Sequence, residues 1–381
     1  MKKLLPALLL ISIQFTSYAQ KQPTRARSLG IPFEGQTGKY NAITDVPGVL
    51  VGYKTLIKGD GRLVAGKGPV RTGVTVILPK GFSRDTVAAA YFILNGDGEM
   101  TGLASVEEYG YYYGPLGITN TNSVGVVRDA IGEWNLKKFS TGHSFDFAFG
   151  MPLVAETFDG GLNDIDGLHV HKQDVWDALD SAKSGAIAEG NVGGGTGMRL
   201  FHFKGGTGTS SRLVNIHGAE YTVGALVQAN FGNREDLMVA GVPVGKEIRD
   251  FEPVYKREKD GSIIVIIATD APLLPSQLKQ MAKRASLGVA RTGGFGYNSS
   301  GDIFMAFGTQ WPKTTKNGLE AWNAVPKDDM NELYKAVALA TEEAIINTLI
   351  AAKTMTGING STVFAIPQDK LIEVLKKYHR F

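Results

Sequence analysis

The sequence predicts an α/β fold in which strands and helices do not strictly alternate. Several short segments are rich in β-branched residues and are flanked by glycine or proline, which is typical of strands. Other segments carry apolar residues three or four positions apart, which is typical of helices. Because strands precede, mingle with and follow the helices, the order of elements does not favour a doubly wound parallel sheet.

The first predicted strands are "GVLVGYKTL" (48–56) and "TGVTVILP" (72–79), which combine β-branched residues with flanking glycine and proline. The segment "DTVAAAYFILNGDGEMTG" (85–102) is a buried apolar run that stops at a glycine turn, and "GITNTNSVGVV" (117–127) is similar. These segments place predicted strands ahead of the main helices.

Helical patterns occur at 174–184, at 275–286 and most clearly at 328–355. The apolar positions of the last segment mostly fall three or four residues apart: Leu333, Val337, Ala340, Ala344 and Ile345. This spacing predicts an amphipathic or buried helix.

The composition predicts a folded protein with a sizeable core. The 381 residues suffice for one large domain or two ordinary ones, and 43% of them are apolar. The 48 glycines cluster in short motifs without a period, which excludes collagen-like and low-complexity chains. Since no Pro-rich or Ser-rich linker and no internal repeat is present, we favour a single compact domain with an exposed charged loop at 249–260 over two separate domains.

The first residues predict a secretory signal peptide. In "MKKLLPALLLISIQFTSYAQ", Lys2 and Lys3 precede an apolar run at 4–15 and the small residues Ser17 and Ala19. The run is shorter than the roughly 20 apolar residues of a membrane anchor. We expect residues 1–19 to be removed and the mature protein to be soluble in the periplasm or outside the cell.

Charge and cysteine content exclude several classes of function. The chain has no cysteine, which excludes a disulfide framework, a thiolate nucleophile and a Cys-ligated metal. The formal net charge of +3 falls to +1 once the two leader lysines are removed. Nothing in this balance favours nucleic acid or a membrane surface as partner, so we expect a small-molecule substrate.

Three local motifs favour structural interpretations over functional ones. His169 and His171 share one face of a possible strand, but no third metal ligand is evident nearby, so we expect no metal site. "GNVGGGTGM" (190–198) lacks the ending of a P-loop and the register of a dinucleotide motif, which favours a turn with closely approaching backbones. "FGYNSSGD" is typical of a loop. The sequence has no Gly-x-Ser-x-Gly elbow, so it does not indicate an α/β-hydrolase.

The segment "KREKDGSIIVIIATDAP" (256–272) places Gly261 and Ser262 between a charged run and a strand of consecutive β-branched residues. Asp-Gly-Ser is ordinary turn chemistry, and locally this is the favoured interpretation. The alternative is autocatalytic cleavage of the Gly261–Ser262 bond. Ser262 would then supply both a hydroxyl nucleophile and an α-amine that acts as base, since such an amine titrates at roughly 7.7 to 8.0.

Long ordered blocks of the sequence resemble the L-aminopeptidase/D-esterase and β-peptidyl aminopeptidase family, whose members mature by such a cleavage. The blocks span most of the mature chain. They are "NAITDVPGVLVGY", "RTGVTVILP", "LNGDGEMTG", "ITNTNSVG", "AETFDGGLNDIDG", "GNVGGGTGM", "GALVQANFG" and the stretch from "DGSIIVIIATDAP" to "NSSGDIF".

The resemblance implies a role for five residues. Ser262 would be the nucleophile at the start of the small subunit. Ser300 would lie close to it, and the Asp302 carboxylate would orient the polar network. Asn230 would donate to the oxyanion, and Glu156 would bind the ammonium of the substrate.

One position departs from the family pattern. Two residues after Glu156, relatives carry a tyrosine that helps to line the oxyanion site, whereas this chain has Phe158. Phenylalanine cannot donate a hydrogen bond, so either Asn230 and backbone amides suffice or the substrate range has shifted. We interpret Phe158 as a bias in specificity.

The resemblance also implies the architecture. The fold would be a four-layer α/β/β/α sandwich that resembles the N-terminal-nucleophile hydrolases but is connected differently. The large subunit, 20–261, and the small subunit, 262–381, would form one compact domain, and several such heterodimers would assemble into a larger homo-oligomer.

Three hypotheses follow for the function. The first is a self-processed aminopeptidase that uses no cofactor and acts on short peptides, amides or esters, with β-amino acids as possible substrates. The second is an acyltransferase on the same scaffold, although such relatives typically present threonine as nucleophile. The third is a non-catalytic binding protein that keeps the fold.

Overall fold

A computed structural model describes residues 25–143, 146–254 and 261–381. The predicted signal peptide, 1–19, and residues 255–260, which include the whole charged run that precedes Gly261, lie outside these residues.

The described chain forms sixteen strands and seven helices. The strands are β1 Leu50–Lys58, β2 Val70–Phe82, β3 Val87–Gly96, β4 Tyr111–Tyr112, β5 Leu116–Asn120, β6 Leu153–Thr157, β7 Arg199–Leu200, β8 Phe203–Lys204, β9 Gly206–Ile216, β10 Ala219–Asn230, β11 Ser262–Thr269, β12 Gly301–Gly308, β13 Lys313–Thr314, β14 Glu320–Ala321, β15 Met355–Thr356 and β16 Thr362–Val363. The helices are α1 Leu103–Tyr109, α2 Val124–Phe139, α3 Lys172–Asp180, α4 Val244–Glu247, α5 Pro275–Arg291, α6 Met330–Ala351 and α7 Gln368–Lys377.

Two sheets form the centre of the molecule. One has four strands in the order β1-β2-β5-β6, and the other has six in the order β4-β3-β12-β11-β10-β9. Neighbouring strands are antiparallel except for the β5–β6 and β11–β12 pairs, which are parallel. Segments before and after 249–260 contribute to the same six-stranded sheet.

Apolar side chains fill the spaces between four layers. Val74 and Val76 lie on one face of β2 and pack with α2 and α3. Ile77 lies on the opposite face of β2 and packs against the second sheet. In β11 of the second sheet, Ile264 packs against the first sheet and Val265 packs against α5 and α6. This alternation follows from the two-residue period of a strand. The layers are thus helix, sheet, sheet and helix, which confirms the predicted four-layer sandwich.

Most of the predicted elements form, with shifted ends. The strands predicted at 48–56 and 72–79 are β1 and β2, and the clearest predicted helix is α6, whose five predicted apolar positions are buried. The run predicted at 117–127 instead divides into β5, which ends at Asn120, and α2, which begins at Val124. Helix α5 continues to Arg291, beyond the predicted end at 286, because its apolar face continues through Val289.

Strand β11 is the inner strand that positions the candidate site. Its β-branched residues at 263–267 are buried on both faces, one face against α5 and α6 and the other against the first sheet. A strand buried on both faces reads as a continuous apolar run. Ser262 is the first residue of β11, at the end of the strand where the buried apolar run begins.

No helix in the described ranges is long and apolar enough to cross a bilayer.

We predict that Gly208→Ala destabilises the fold. A Cβ at Gly208 in β9 would lie 2.0 Å from the carbonyl oxygen of Ala344 in α6, so the helix must move away from the sheet. Overpacking of this kind costs about 1–3 kcal/mol of unfolding free energy. Urea unfolding followed by circular dichroism measures the change.

Gly125→Ala is the matched control for this substitution. A Cβ at Gly125 in α2 meets no atom within 4 Å, and alanine is the better helix former. This variant should be as stable as the wild type or more so. Equal stability of the two variants would contradict the close packing of β9 on α6.

Candidate active site

Ser262 lies on the wall of a cavity of about 230 Å³ at the start of β11. Its neighbours across the two strand ladders are Asn230, in β10, and Gly301, in β12. The side chain is almost wholly buried, so the hydroxyl faces a confined space rather than bulk water. The pairing on both sides fixes the position of this serine.

Asn230 lies directly opposite Ser262, with its side-chain amide held at both ends. Its Oδ1 accepts the backbone N–H of Arg199 at 2.8 Å, and its Nδ2 donates to the carbonyl oxygen of Phe158 at 3.0 Å. An amide nitrogen carries two hydrogens, so the second can serve a substrate oxygen. These two bonds orient the amide on the cavity wall, because they fix which end is nitrogen.

Glu156 is a buried carboxylate on the same cavity. It stands near the end of β6, beside β5, and the loop that follows β5 supplies Thr121. The Thr121 hydroxyl donates to Oε2, and the backbone N–H of Glu99 donates to Oε1 at 3.0 Å. Burial raises the pKa of Glu156 above its usual range, and the charges of Glu99 and Asp97 act in the same direction.

Asp97 and Glu99 also line the cavity, so this end of it is acidic. A bound cation would relieve the repulsion among the three carboxylates and favour the ionised form of Glu156. The electrostatics of the cavity therefore suit a substrate with a positive charge.

Ser300 and Asp302 lie next to Ser262, at the start of β12. The Ser300 hydroxyl donates to Oδ1 of Asp302 at 2.7 Å, and Asp302 is only 1% exposed. Burial raises the pKa of Asp302 to about 6, although hydrogen bonds from Ser300 and from the backbone of Ile263 oppose the rise. The group is thus partly protonated in mildly acidic solution.

Gly261 occupies a position that only glycine fits. A Cβ there would lie 1.3 Å from the carbonyl oxygen of Asn230 and 2.6 Å from Cα of Phe231. The carbonyl oxygen of Gly261 accepts the backbone N–H of Gly301 at 3.3 Å. The bond between Gly261 and Ser262 is therefore packed tightly against β10 while its carbonyl is held by β12.

Phe158 lines the cavity with a ring that carries no hydroxyl. Its backbone contributes instead, since its carbonyl oxygen accepts from Asn230. At this position the wall lacks the hydroxyl that a tyrosine would supply, while the support of the Asn230 amide is in place.

The structure brings the predicted site residues together. One cavity is lined by Glu156, Phe158, Asn230, Gly261 and Ser262. Ser300 and Asp302 adjoin Ser262 through the β11–β12 pairing, although Ser299, and not Ser300, lines the cavity.

Several residues of the site were not singled out from the sequence. They are Asp97, Glu99, Thr121, Arg199 and Ser299, all on the cavity wall. Asp97, Glu99 and Thr121 fall within the quoted blocks "LNGDGEMTG" and "ITNTNSVG", so the similarity of those blocks was a signal that could have found them.

Of the three motifs given structural interpretations, the histidine pair and the 190–198 loop make local packing contacts, whereas "FGYNSSGD" carries Ser299 on the cavity wall. His169 Nε2 lies 2.8 Å from Oδ2 of the buried Asp164, whereas His171 is exposed and its backbone N–H donates to Asp174 at the start of α3. Within the described ranges, no group of three or more His, Cys, Asp or Glu residues could hold a metal ion. In the 190–198 loop, a Cβ at Gly197 would lie 2.3 Å from the carbonyl oxygen of Arg71, which confirms the close backbone approach.

Comparisons with known proteins agree with this geometry. Residues 41–363 match the model of peptidase family S58. The chain is 50% identical to the β-peptidyl aminopeptidase BapA of Sphingosinicella microcystinivorans over 378 residues, which are 95% of this chain and 94% of that protein. It is 46% identical to BapA of Sphingosinicella xenopeptidilytica over 387 residues, which are 98% of this chain and 96% of that protein.

A solved structure shows the same fold. The L-aminopeptidase D-Ala-esterase/amidase of Ochrobactrum anthropi has a TM-score of 0.87 and 46% identity to this chain, and the match covers 93% of this chain and 99% of that one. That protein is described as a prototype for the serine aminopeptidases and as a new variant of the Ntn-hydrolase fold. The similarity confirms the fold class expected from the sequence.

We predict that the Asp302 carboxyl titrates at about 6 in the wild type and higher in Ser300→Ala. The Ser300 hydroxyl donates to the ionised carboxylate, so its loss should raise the pKa of Asp302 by about one unit. A ¹³C NMR titration of the aspartate carboxyl carbons measures this directly.

Ser286→Ala is the control, because that hydroxyl donates to the carbonyl oxygen of Lys283 in α5, away from the cavity. It should leave the titration of Asp302 unchanged. A wild-type value near the unperturbed value of about 4 would contradict the burial of this carboxyl.

Proposed function

The chain belongs to peptidase family S58 and is an aminopeptidase, and from this premise we propose that Ser262 is its nucleophile, created by cleavage of the Gly261–Ser262 bond. One observation carries the proposal. The first residue of the buried strand β11 is a serine that faces a cavity, and it is preceded by a position where only glycine fits.

The cleavage gives Ser262 two functional groups at one residue. The released α-amine titrates at roughly 7.7 to 8.0 in model compounds, so a useful fraction is neutral and can accept a proton near pH 7. The hydroxyl of the same residue is the nucleophile. The hydrogen-bonded pair Ser300 and Asp302 lies next to it, at the start of the neighbouring strand β12.

Turnover then proceeds through an acyl-enzyme. The Oγ of Ser262 attacks the carbonyl carbon of the residue to be released, and its proton passes to the α-amine. The developing oxyanion accepts an N–H from Asn230, a contribution typically worth about 2.7–4 kcal/mol. The proton then moves to the leaving amine as the C–N bond breaks. Water attacks the resulting ester, which frees the amino acid and restores the hydroxyl.

Glu156 makes the enzyme an aminopeptidase by binding the substrate ammonium. Its carboxylate is buried, oriented by Thr121 and Glu99, and surrounded by further negative charge. An ammonium that enters the cavity forms a charge-assisted hydrogen bond with Glu156, whereas a blocked amine leaves the carboxylate buried without a cation. Substrates therefore need a free amino terminus.

We propose short peptides, amides and esters with an N-terminal β-amino acid as the substrate class. Support comes from the two relatives named β-peptidyl aminopeptidase, which match nearly the whole chain. Phe158 is compatible with this range, since its apolar ring supplies contact surface for the extra methylene of a β-amino acid. Initial rates on a β-aminoacyl amide and an α-aminoacyl amide with the same leaving group test the preference for β-amino acids.

We also propose that the leader exports the protein to the periplasm or beyond, and that the processed heterodimers associate into a homo-oligomer. The lysines and apolar run of residues 1–19 support export. Cell fractionation and light scattering of the purified protein test these two points.

We predict that the purified wild type consists of two chains, 20–261 and 262–381, and that Ser262→Ala is a single uncut chain without turnover. The reason is that alanine lacks the hydroxyl that both reactions use. Intact-mass measurement under denaturing conditions, followed by an assay on an aminoacyl amide, shows both effects.

Ser286→Ala should be processed and active like the wild type. An uncut wild type that hydrolyses no aminoacyl amide would favour the binding-protein hypothesis. An uncut wild type with normal turnover would refute Ser262 as an N-terminal nucleophile. Transfer to added amino acids in preference to water would favour the acyltransferase.

We predict that Glu156→Gln lowers kcat/KM for a free-amine substrate by about 10- to 150-fold, the range expected for a hydrogen bond to a charged group. The same substrate with an acetylated amine should be hydrolysed slowly and about equally by both enzymes. Steady-state kinetics on the two substrates measure the difference.

Glu107→Gln is the matched control, because this exposed carboxylate pairs with Lys279 on the surface. It should leave both substrates unaffected. If Glu156→Gln lowered the rates on both substrates alike, Glu156 would not be the ammonium site.

A further inference from the structure

Lys204 is a fully buried lysine close behind the candidate site. It lies in β8, opposite Arg199 of β7, in a short hairpin next to the end of β10. Burial lowers the pKa of Lys204 to about 7, and the charge of the buried Asp159 opposes that shift. A buried ionisable group is costly, and an apolar residue of similar size would fill the space without that cost.

The ammonium of Lys204 is directed at the backbone of its own hairpin. Its Nζ donates to the carbonyl oxygens of Met198 and Gly205, each at 2.8 Å. The carbonyl oxygen of Met198 also accepts the backbone N–H of Gly205 at 2.9 Å. Two donors thus hold one carbonyl, which fixes the plane of the Met198–Arg199 peptide.

The other side of that same peptide holds Asn230. The N–H of Arg199 donates to Oδ1 of Asn230 at 2.8 Å. A single peptide group therefore joins the buried ammonium to the side chain that faces Ser262.

We propose that Lys204 is a positioning residue for the oxyanion donor, acting on Asn230 through the Met198–Arg199 peptide. The inference rests on the proposed function, since it assumes that Asn230 donates to the oxyanion. Lys204 itself touches no reacting atom.

Two physical effects favour this role. The hydrogen bond from Lys204 Nζ to the carbonyl oxygen polarises the peptide, so its N–H becomes a stronger donor to Asn230. In turn, an amide whose oxygen accepts a strong hydrogen bond has more acidic N–H groups, which are better donors to an oxyanion. The fixed peptide also keeps the amide from flipping, because the flipped form would place N–H against N–H.

The turn of the hairpin is strained and held by its surroundings. Phe201 and His202 have φ of 50° and 60°, the left-handed region that residues with a side chain rarely adopt. The carbonyl oxygens of both accept hydrogen bonds from the Arg234 guanidinium, and the Phe201 N–H donates to Phe231. Strain that persists in this way is typical of segments that position functional groups.

Self-cleavage and turnover should depend on Lys204 differently. In the uncut chain, the carbonyl oxygen of Gly261 accepts from the backbone N–H of Gly301. The carbonyl attacked during cleavage is thus held by β12, not by the Lys204 hairpin. Complete self-cleavage of a Lys204 variant therefore shows that its site is folded. A lowered kcat in the same variant shows that the oxyanion donor is impaired.

The test compares Lys204→Met, Lys204→Gln and the control Lys279→Met. Lys279 is an exposed lysine that pairs with Glu107, so its loss should change neither reaction. For Lys204→Met we expect complete processing by intact mass, a kcat lowered about tenfold, and a KM within about twofold of the wild type. Lys204→Gln, which keeps one donor but no charge, should lie in between.

A double-mutant cycle with Asn230→Ala separates this role from a general structural one. If Lys204 acts through Asn230, adding Lys204→Met to Asn230→Ala should leave kcat unchanged, because the group it orients is already gone. Thermal unfolding of each variant is recorded alongside the kinetics.

Three results would overturn the inference. They are an unchanged kcat in Lys204→Met, additive losses in the double variant, and failure of both Lys204 variants to self-cleave. If the wild type itself hydrolysed no aminoacyl amide, the proposed function would fail and this inference with it. An active wild type with an unaffected Lys204→Met overturns the inference alone.

Discussion

The pairing of β11 between β10 and β12 is the constraint on which the rest of the site depends. These two ladders set Ser262 opposite Asn230 on one side and Gly301 on the other. A shift of one residue would exchange the side chains at 263–267 between two buried faces, each of which is closely packed around the side chains it now holds. The core that stabilises the protein therefore also fixes the position of Ser262, the proposed nucleophile.

The polar groups around Ser262 are oriented by backbone as much as by side chains. Asn230 bonds to the backbone at 158 and 199, Glu156 accepts the N–H of Glu99, and the carbonyl of Gly261 accepts the N–H of Gly301. Backbone partners on paired strands and tight turns have little freedom to move. Donors fixed before substrate arrives need no reorganisation when charge develops, which is the main source of electrostatic catalysis.

The sequence could predict the strands and helices whose apolar residues form a continuous or periodic pattern along the chain. It could not predict those whose burial depends on contacts with distant segments. Strand β11 and helix α6 were predicted because their apolar residues are continuous or periodic. Strand β9 was missed because its buried residues include Ser210, whose hydroxyl donates to the carbonyl oxygen of Ala340 in α6. In the sequence, a serine at this position predicts an exposed residue. Only the fold shows that it is buried against α6.

The same limit applied to the site. The resemblance pointed to Ser262, Asn230 and Glu156, which lie on one cavity. Lys204 could not be identified, because a lysine in sequence is usually exposed and only the fold shows it to be buried. Its partners are two backbone carbonyl oxygens, and beyond one of those peptides lies an asparagine of another strand. None of these contacts leaves a local signature in the sequence.

The order of strands in the six-stranded sheet has a consequence for the two subunits that the proposed cleavage creates. Strands β11 and β12 fall within the proposed small subunit, and they lie between β3 and β10 of the proposed large one. The fragments are therefore interleaved rather than docked, with hydrogen-bonded ladders on both sides of the inserted pair. Dilution alone cannot separate them, since parting requires the sheet to open and expose its core. The proposed cut would divide the covalent chain while the folding unit stays whole.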